Sequence, residues 1–304
     1  MVELTLFADA LVRATPLILA GLAVALAFNG GVFNIGAEGQ LLVGAASSTA
    51  ITLAWSGVLG GFVVIPAAFG GAVAGAFWAA IAAELKRRFH VLEIISTIML
   101  NFIALHLVSY LVRGPLQEPT RIYPQTETIQ EAGRLSILLP GTRLHLGFAV
   151  AVVIAIVLSW FFRRTVYGFR VRAIGASRGA ARSAGRIQVE RTAFVVFLFS
   201  GALAGLAGSI EVSGVTFALY ENLSPGYGYT AIAVALIAGL SPLGVVGSGI
   251  FFGILETGAI ALQRELAVPS SLASVAEAAL ILVVLSFAAY RGRTVFGFAR
   301  PELA

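Results

Sequence analysis

Long apolar blocks follow one another along most of the chain and are separated by short polar or glycine-rich breaks. A helix that crosses the roughly 30 Å hydrocarbon layer of a membrane needs about 20 apolar residues. The pattern therefore predicts an all-α polytopic membrane protein with about nine transmembrane helices, of which the second and seventh are short. The predicted spans lie near 12–28, 38–54, 60–83, 91–112, 144–162, 191–213, 228–240, 244–263 and 272–289.

Composition supports this class. Hydrophobic residues make up 59% of the chain and charged residues 12%, and the mean hydropathy is +0.94, which excludes an ordinary soluble domain. A β-barrel would show segments of about ten residues with alternating polarity instead of continuous apolar blocks. The 34 glycines are typical of membrane helices that pack closely. With no cysteine, the chain forms neither a disulfide nor a thiolate metal site.

Basic residues predict the orientation. Segment 163–186 holds seven arginines and no acidic residue, and three basic residues occupy positions 86–88. Loops rich in arginine and lysine stay on the cytoplasmic side, and Arg291 and Arg293 satisfy the same rule after the last span. The loop 113–143 is nearly balanced in charge, as suits the outer face. Nine alternating spans then place the N-terminus outside and the C-terminus in the cytoplasm.

The stretch GGVFNIGAEGQLLVGA, residues 30–45, interrupts the apolar pattern with glycines and polar side chains. Glycines allow the chain to leave one helix and begin another, and a carboxylate in the first turn of the new helix is favourable. Broken helices at membrane depth occur where they are buried in protein or line a cavity. We expect Asn34, Glu38 and Gln40 to lie at or beside a translocation pathway. The alternative is an interhelical cap that touches no ligand.

The fourth predicted span carries a polar stripe. Glu93, Thr97 and Asn101 are spaced four residues apart and therefore share one helix face, with Ser96 beside them. Such a face should not meet lipid. It either hydrogen-bonds a neighbouring helix, the role expected for Ser96 and Thr97, or lines the pathway, the role expected for Asn101. Neutral hydroxyls and amides suit nucleosides and sugars equally.

The segment YENLSPGYGYTAIAVALIAG, residues 220–239, repeats the motif of a polar break followed by a short span. Together with the break at 30–39 it predicts two pseudo-repeated halves, spans one to four and six to nine. Because span one runs inward and span six outward, these halves would be inverted repeats. We expect Tyr220, Tyr227 and Tyr229 to anchor the chain at the membrane interface; stacking on a base is the alternative.

Several catalytic classes find no support. The chain has no glycine-rich loop ending in Gly-Lys-Ser or Gly-Lys-Thr, and its sole lysine is Lys86, so it cannot build an ATP site of that type. His90, His106 and His145 do not show metal-ligand spacing. No nucleophile and base form a pattern typical of an enzyme. We therefore expect no catalytic residue, no metal and no cofactor.

Five segments carry a family resemblance: GVFNIGAEGQ, EIISTIMLNFIAL, RAIGASRGAARSAGR, FSGALAGLAGSIEV and SPGYGYTAIAVALIAG. The chain resembles the permease subunits of bacterial ABC importers for nucleosides and simple sugars, and FNIGAEGQ favours the nucleoside branch. The resemblance implies a single transmembrane permease domain over 1–304 in the bacterial cytoplasmic membrane. It also implies four kinds of partner: an ABC ATPase subunit, a second permease copy or related permease, an extracytoplasmic substrate-binding protein and membrane lipid. No nucleic acid is implied.

On this resemblance the arginine-rich segment, about 163–190, is a cytoplasmic coupling loop that docks the ATPase. Its length and its small residues predict one or two short helices against that partner, although a plain topology signal touching anionic lipid is the alternative. The motif GASRGAARSAGR departs from the commoner form of the family, which has asparagine and proline after the glycine. The residues expected to couple are Gly175, Arg178, Ala181, Arg182 and Gly185.

Three alternatives stay open for the cargo and the energy source. Ribose-like sugars or a flavin would use the same kind of machine. A stand-alone transporter driven by an ion gradient through Glu38, Glu93 and Glu277 would need no ATPase, but it leaves the acid-free segment 163–186 unexplained.

Overall fold

The computed structural model describes residues 2–185 and 187–266, together with positions 275, 278, 279, 282, 283 and 286. Helices form nearly all of its regular structure, and two isolated bridges are the β-pairing within those ranges. The ten helices of this part of the chain are α1 (Val2–Asn29), α2 (Ala37–Leu59), α3 (Val64–Phe89), α4 (Glu93–Arg113), α5 (Leu146–Arg164), α6 (Val166–Ala176), α7 (Arg178–Ser183), α8 (Val189–Glu211), α9 (Tyr227–Ile237) and α10 (Pro242–Leu266).

These helices occupy the first eight of the nine predicted intervals. The ninth, 272–289, and Glu277 within it lie outside the described residues. Among the described residues, six segments are long and apolar enough to cross a membrane. One of them, Ala37–Phe89, is 53 residues long and contains both α2 and α3, which a short 3₁₀ turn separates. The fold is therefore a polytopic helical membrane protein. Of the two spans predicted to be short, the seventh is short, since α9 has 11 residues. The prediction for the second span is wrong, because α2 continues to Leu59 and has 23 residues.

The central element is α1. Its most apolar window is 83% buried, whereas the windows of α4 and α5 are 28% buried. A helix that is apolar all round belongs in the interior of a bundle, and α1 packs against α8, α9 and α10. Large apolar side chains instead cover the outer surface of the bundle, as is typical of proteins that face lipid. Phe62, Phe69, Phe77, Trp160 and Phe199 are examples.

Glycines set the distance between the main helix pairs. A Cβ atom at Gly75 would overlap the backbone of Gly205, and one at Gly71 would lie 3.0 Å from the Gly44 carbonyl oxygen, so α3 meets α8 and α2 at backbone contact. On the opposite side, a Cβ at Gly253 would overlap the backbone of α1. Because lipid gives little hydrophobic drive for helix association, such close approach supplies the packing energy.

The segment 114–145 lies across one end of the bundle. The Thr126 amide donates to the Leu219 carbonyl at 2.9 Å, and the Ile129 amide donates to the Phe217 carbonyl at 2.7 Å. These bonds run beside the chain that follows α8, so the long loop fixes the segment leading into α9. A loop without regular structure satisfies its backbone groups in this way.

An ion pair holds the same segment at a second point. The Arg113 guanidinium donates to Glu221 through Nε at 2.6 Å and through Nη2 at 2.8 Å, a two-bond geometry that is favourable for arginine and carboxylate. Hydrogen bonding to Arg113 lowers the pKa of Glu221 to about 2. Glu221 is therefore ionised at physiological pH, as this pairing between the end of α4 and the loop before α9 requires.

His145 caps α5 from within this end of the bundle. Its Nδ1 accepts the Gly147 amide at 3.2 Å, and its ring packs on Gly214. Nε2 is buried and has no hydrogen-bond partner among the described residues. Burial, with a smaller effect of the Arg143 charge, lowers the pKa of His145 to about 4. The cap therefore uses the neutral imidazole.

The pKa of His145 makes stability depend on pH. The unfolded chain takes up the proton near pH 6.5 and the folded protein near 4, so we expect stability to fall as pH drops through that window, by about 3 kcal/mol at most. Below it, both states are protonated and the loss levels off. Thermal unfolding of the purified protein between pH 7 and 4 measures this.

The matched control is His145→Asn, because asparagine caps helices without titrating. Its melting temperature should change less with pH than that of the wild type over the same window. Parallel curves for the two proteins would contradict the assignment.

Candidate functional site

The break between α1 and α2, residues 30–36, turns back into the bundle. The Asn34 side chain donates from Nδ2 to the Ser200 hydroxyl at 2.8 Å, and that hydroxyl donates to the Ala23 carbonyl at 2.7 Å. Since a helix rises 1.5 Å per residue, Asn34 lies level with a point about 9 Å before the end of α1. Helix α2 therefore begins inside the protein.

Asn34 and Gln40 form a reciprocal amide pair. Asn34 Nδ2 donates to Gln40 Oε1 at 2.8 Å, and Gln40 Nε2 donates to Asn34 Oδ1 at 3.0 Å. The same Asn34 oxygen accepts the Gly36 amide at 2.9 Å. Exposure of the two side chains is 0% and 1%. The amide groups of Asn34 are thus fully used in holding the break closed.

Asn101 joins α4 to the same break. Its Oδ1 accepts the Gly39 amide at 2.8 Å, and its Nδ2 donates to the Ile35 carbonyl at 3.0 Å and to the Tyr229 hydroxyl at 3.2 Å. One side chain therefore satisfies an unpaired amide in the first turn of α2, a carbonyl of the break and a residue of α9. A mid-span asparagine in an apolar helix is placed here by these three bonds.

Glu38 lies where two helices begin. It is in the first turn of α2, and its Oε2 accepts the Gly228 amide, in the first turn of α9, at 2.6 Å. The Ser224 side chain hydrogen-bonds the same carboxyl group. A Cβ atom on Gly228 would overlap the Glu38 backbone, so the two helix starts are in direct contact. Helix N-termini carry unpaired amides and partial positive charge. The Glu38 carboxyl group is therefore favourably placed at the N-termini of both α2 and α9.

The remaining stripe residues of α4 bond within their own helix or toward its start. The prediction that Ser96 and Thr97 bond a neighbouring helix is wrong, because their hydroxyls donate to the Glu93 carbonyl of α4 itself at 3.2 Å and 2.6 Å. The Glu93 carboxylate lies 2.5 Å from Lys86 Nζ and accepts the Phe33 amide at 3.4 Å. The first turn of α4 is thereby attached to the end of α3 and to the break.

The six predicted pathway residues lie at or beside the break. Asn34, Gln40 and Asn101 hydrogen-bond its backbone or each other, and Thr97 packs against Gly36. Glu38, two residues beyond the break, instead bonds the Gly228 amide of α9. Glu93 accepts the Phe33 amide of the break and lines a cleft of about 530 Å³. All six residues are buried. The structure thus joins the sequence-predicted set into one network that spans both halves of the chain.

That cleft also receives the predicted coupling segment. Its lining includes Lys86, Glu93, Arg178, Arg182 and Glu190. The cleft lies between the α3–α4 turn, helix α7 and the start of α8. The two functional sets predicted separately from the sequence therefore adjoin each other in the fold.

Comparison with known proteins identifies the family. Residues 6–297 match the family described as branched-chain amino acid transport system, permease component. The chain belongs to this permease family. It is 39% identical to a glucose ABC transporter permease of Haloferax volcanii over 91% of this chain and 75% of that protein. It is 38% identical to the guanosine ABC transporter permease NupP of Bacillus subtilis over 91% and 80%. No solved structure matches it.

A third relative is the nucleoside ABC transporter permease NupB of Lactococcus lactis, 30% identical over 88% of this chain and 76% of that protein. Proteins of this family are the membrane components of ABC transporters. The permease is therefore a transport subunit and not an enzyme, and its six apolar segments make it a multi-pass membrane protein. Family membership implies an ATPase subunit and a substrate-binding protein as partners.

The residues predicted to couple the permease to an ATPase differ in exposure. Gly175 packs against the backbone of Asn29 and Gly31, and a Cβ atom there would overlap the Asn29 carbonyl. Ala181 is buried in an apolar cluster with Ile174. Gly175 and Ala181 therefore pack α6 and α7 against the rest of the permease.

The other three residues of this predicted set lie nearer the surface. Arg178 donates from Nη2 to the Gly31 carbonyl at 2.7 Å, so it links α7 to the break. Arg182 pairs with Glu190 at 2.6 Å, both well exposed. Gly185 is exposed and has φ of 66°, a backbone conformation that favours glycine.

Some residues of the site gave weak sequence signals. Ser200 is a single hydroxyl in an apolar span, and Gly228 is one of many glycines.

The interface prediction for Tyr227 is wrong: this side chain is 7% exposed and belongs to the core, because α9 begins inside the bundle. Arg13 was not among the residues predicted from the sequence to matter. It joins α1 to α10 through an ion pair with Glu256 at 3.1 Å. A lone arginine in an apolar span is a usable signal for such a partner.

We expect Gly228→Ala to reduce transport sharply, because the added methyl group would push the starts of α2 and α9 apart and break the Gly228–Glu38 hydrogen bond. Overpacking of this kind costs about 1–3 kcal/mol. Uptake into proteoliposomes and thermal unfolding measure the two effects.

The matched control is Gly247→Ala in α10, where a Cβ atom meets nothing within 4 Å. This variant should retain the stability and transport of the wild type. Equal behaviour of the two variants would show that contact between the helix starts is not needed.

Proposed function

We propose that the permease moves nucleosides across the bacterial cytoplasmic membrane by alternating access, driven by a separate ATPase subunit. The observation that carries the proposal is the buried polar break, where neutral amide and hydroxyl groups from α1–α2, α4, α8 and α9 converge. A nucleoside carries several hydrogen-bonding groups and no net charge, which matches such a set. Relatives named for guanosine and nucleosides support the same cargo.

A simple sugar is the second candidate, because a relative at 39% identity is named a glucose permease. Tyr229 favours the nucleoside. Its ring is 46% exposed beside Asn101, and a base gains stacking energy on an aromatic ring. Sugars share the hydrogen-bonding part of this chemistry, and they pack on an aromatic ring only through C–H groups, a smaller contact than that of a planar base.

We propose nine membrane crossings, with the N-terminus outside and the C-terminus in the cytoplasm, arranged as two inverted halves. Helix pairing supports the repeat: α3 packs on α8 as α10 packs on α1. Each of these outer helices presents two glycines four residues apart, Gly71 and Gly75 in α3, and Gly249 and Gly253 in α10. Helices α2 and α9 begin at one place, as a local two-fold axis would require.

In the proposed cycle, a substrate-binding protein delivers the ligand at the outer face, and the ATPase docks on segment 163–190 at the inner face. A second permease copy or related permease completes the pathway. Closure of the ATPase moves α6 and α7, and these helices contact the break through Gly175 and Arg178. ATP hydrolysis in the partner subunit is thereby coupled to movement of the polar break.

An ion-coupled mechanism gains little from the structure. Glu38 already accepts a backbone amide and Glu93 is paired with Lys86, so both carboxyl groups have structural partners. Family membership also provides for an external ATPase.

The experiment that tests the cargo is uptake of labelled guanosine into proteoliposomes holding the permease with its co-purifying ATPase and binding protein. We expect unlabelled nucleosides to compete at concentrations about tenfold or more below those of ribose and glucose, since the base adds stacking to the shared contacts. Omitting ATP is the control. Stronger competition by glucose would contradict the nucleoside proposal and indicate that the transported substrate is a sugar.

The docking of the ATPase is tested separately. We expect Ala180→Glu combined with Arg182→Glu, both at exposed positions of α7, to abolish co-purification with the ATPase while leaving the permease folded. The exposed Arg182–Glu190 pair contributes at most about 1 kcal/mol. The control is the charge reversal Arg143→Glu on the opposite loop, which should leave co-purification intact. Persistence of co-purification in the double variant would overturn the docking proposal.

A further inference from the structure

Lys86 is the sole lysine among 20 basic residues, and it is placed in an ion pair that is partly buried. Its Nζ lies 2.5 Å from Glu93 Oε2, with the Lys86 side chain 30% exposed and that of Glu93 9% exposed. A lysine ammonium is a compact charge on a flexible stem, whereas arginine binds carboxylates in a fixed two-bond geometry. A lysine contact is therefore the easier of the two to open and close.

The Glu93 carboxylate reaches the break on its other side. Its Oε1 accepts the Phe33 amide at 3.4 Å, and Glu93 is also the first residue of α4, where a negative charge is favourable. Glu93 therefore joins three elements: the end of α3, the start of α4 and segment 30–36. Without Lys86 its buried charge would lose its partner, which is costly.

Helix α7 holds the same segment through a separate contact. Arg178 Nη2 donates to the Gly31 carbonyl at 2.7 Å, two residues before the Phe33 amide that Glu93 binds. Gly31 also sits directly on Gly175. Any displacement of α7 therefore pulls on the backbone between Gly31 and Phe33.

We propose that Lys86 and Glu93 form an inner latch that positions the break, and that movement of α7 opens this latch through Arg178 and the Gly31–Phe33 backbone. The proposal rests on the proposed function in one respect, that the ATPase moves α7. Lys86, Glu93 and Arg178 are positioning residues in it. None of them needs to touch the transported ligand.

The single lysine makes the latch directly measurable. Amine acetylation of the permease–ATPase complex in lipid nanodiscs, followed by mass spectrometry, reports the access of reagent to Lys86. A reference lysine is supplied by Arg143→Lys, at an exposed position of the outer loop. In the resting complex we expect Lys86 to react about tenfold more slowly than this reference, the factor that a charge-assisted hydrogen bond provides.

Trapping the complex with ATP and vanadate should raise the Lys86 rate toward that of the reference lysine and leave the reference unchanged. Glu93→Gln should raise the rate without ATP. Arg178→Ala should remove the effect of ATP, because it disconnects α7 from the break. Equal resting rates for Lys86 and the reference, or no change with ATP and vanadate, would overturn the latch.

A second readout distinguishes the latch from plain stabilisation. Lys86→Met should lower the amount of substrate moved per ATP hydrolysed several-fold while hydrolysis continues, and Lys86→Arg should restore part of the ratio because it keeps the charge. Proportional loss of both activities would overturn the proposal.

Different results would contradict the latch proposal and the cargo proposal. An ATP-dependent rise at Lys86 without nucleoside uptake would overturn the proposed cargo and support the latch. Normal nucleoside uptake with a constant Lys86 rate would do the reverse.

Discussion

The contact on which the rest of the structure depends is the one between Glu38 and the start of α9. Two helices, α2 and α9, begin inside a bundle whose surroundings contain no water to satisfy their first amides. The carboxyl group of Glu38 accepts one of these amides, while Asn34 and Asn101 accept two more, those of Gly36 and Gly39. Polar side chains at this depth are thus a requirement of the broken helices.

This requirement also explains the surrounding fold. Helices that start in mid-bundle must be held in place from outside, and the loop 114–145 and the Arg113–Glu221 pair do this for α9. Helices α6 and α7 hold the end of α1 through Gly175 and Arg178. The polar centre is therefore joined by direct contacts to the helices and loops that surround it.

Much of this was predictable from the sequence, for physical reasons. The apolar blocks marked eight of the helices because membrane helices must be apolar over a fixed length. The glycine-rich break and the four-residue spacing of Glu93, Thr97 and Asn101 identified the polar network, since buried polar groups in lipid need partners. The partners themselves were not predictable. Which amide meets Glu38 depends on the approach of α9, some 190 residues later in the chain, and no local pattern encodes that distance.

The pair between Arg13 and Glu256 has a consequence for biogenesis. Arg13 enters the membrane with α1, while Glu256 follows only when α10 emerges from the ribosome. Until then Arg13 cannot form this pair, and a charge in an apolar span weakens insertion. Synthesis of α10 supplies Glu256 and joins α1 to α10. A product truncated before α10 would keep the arginine without this partner.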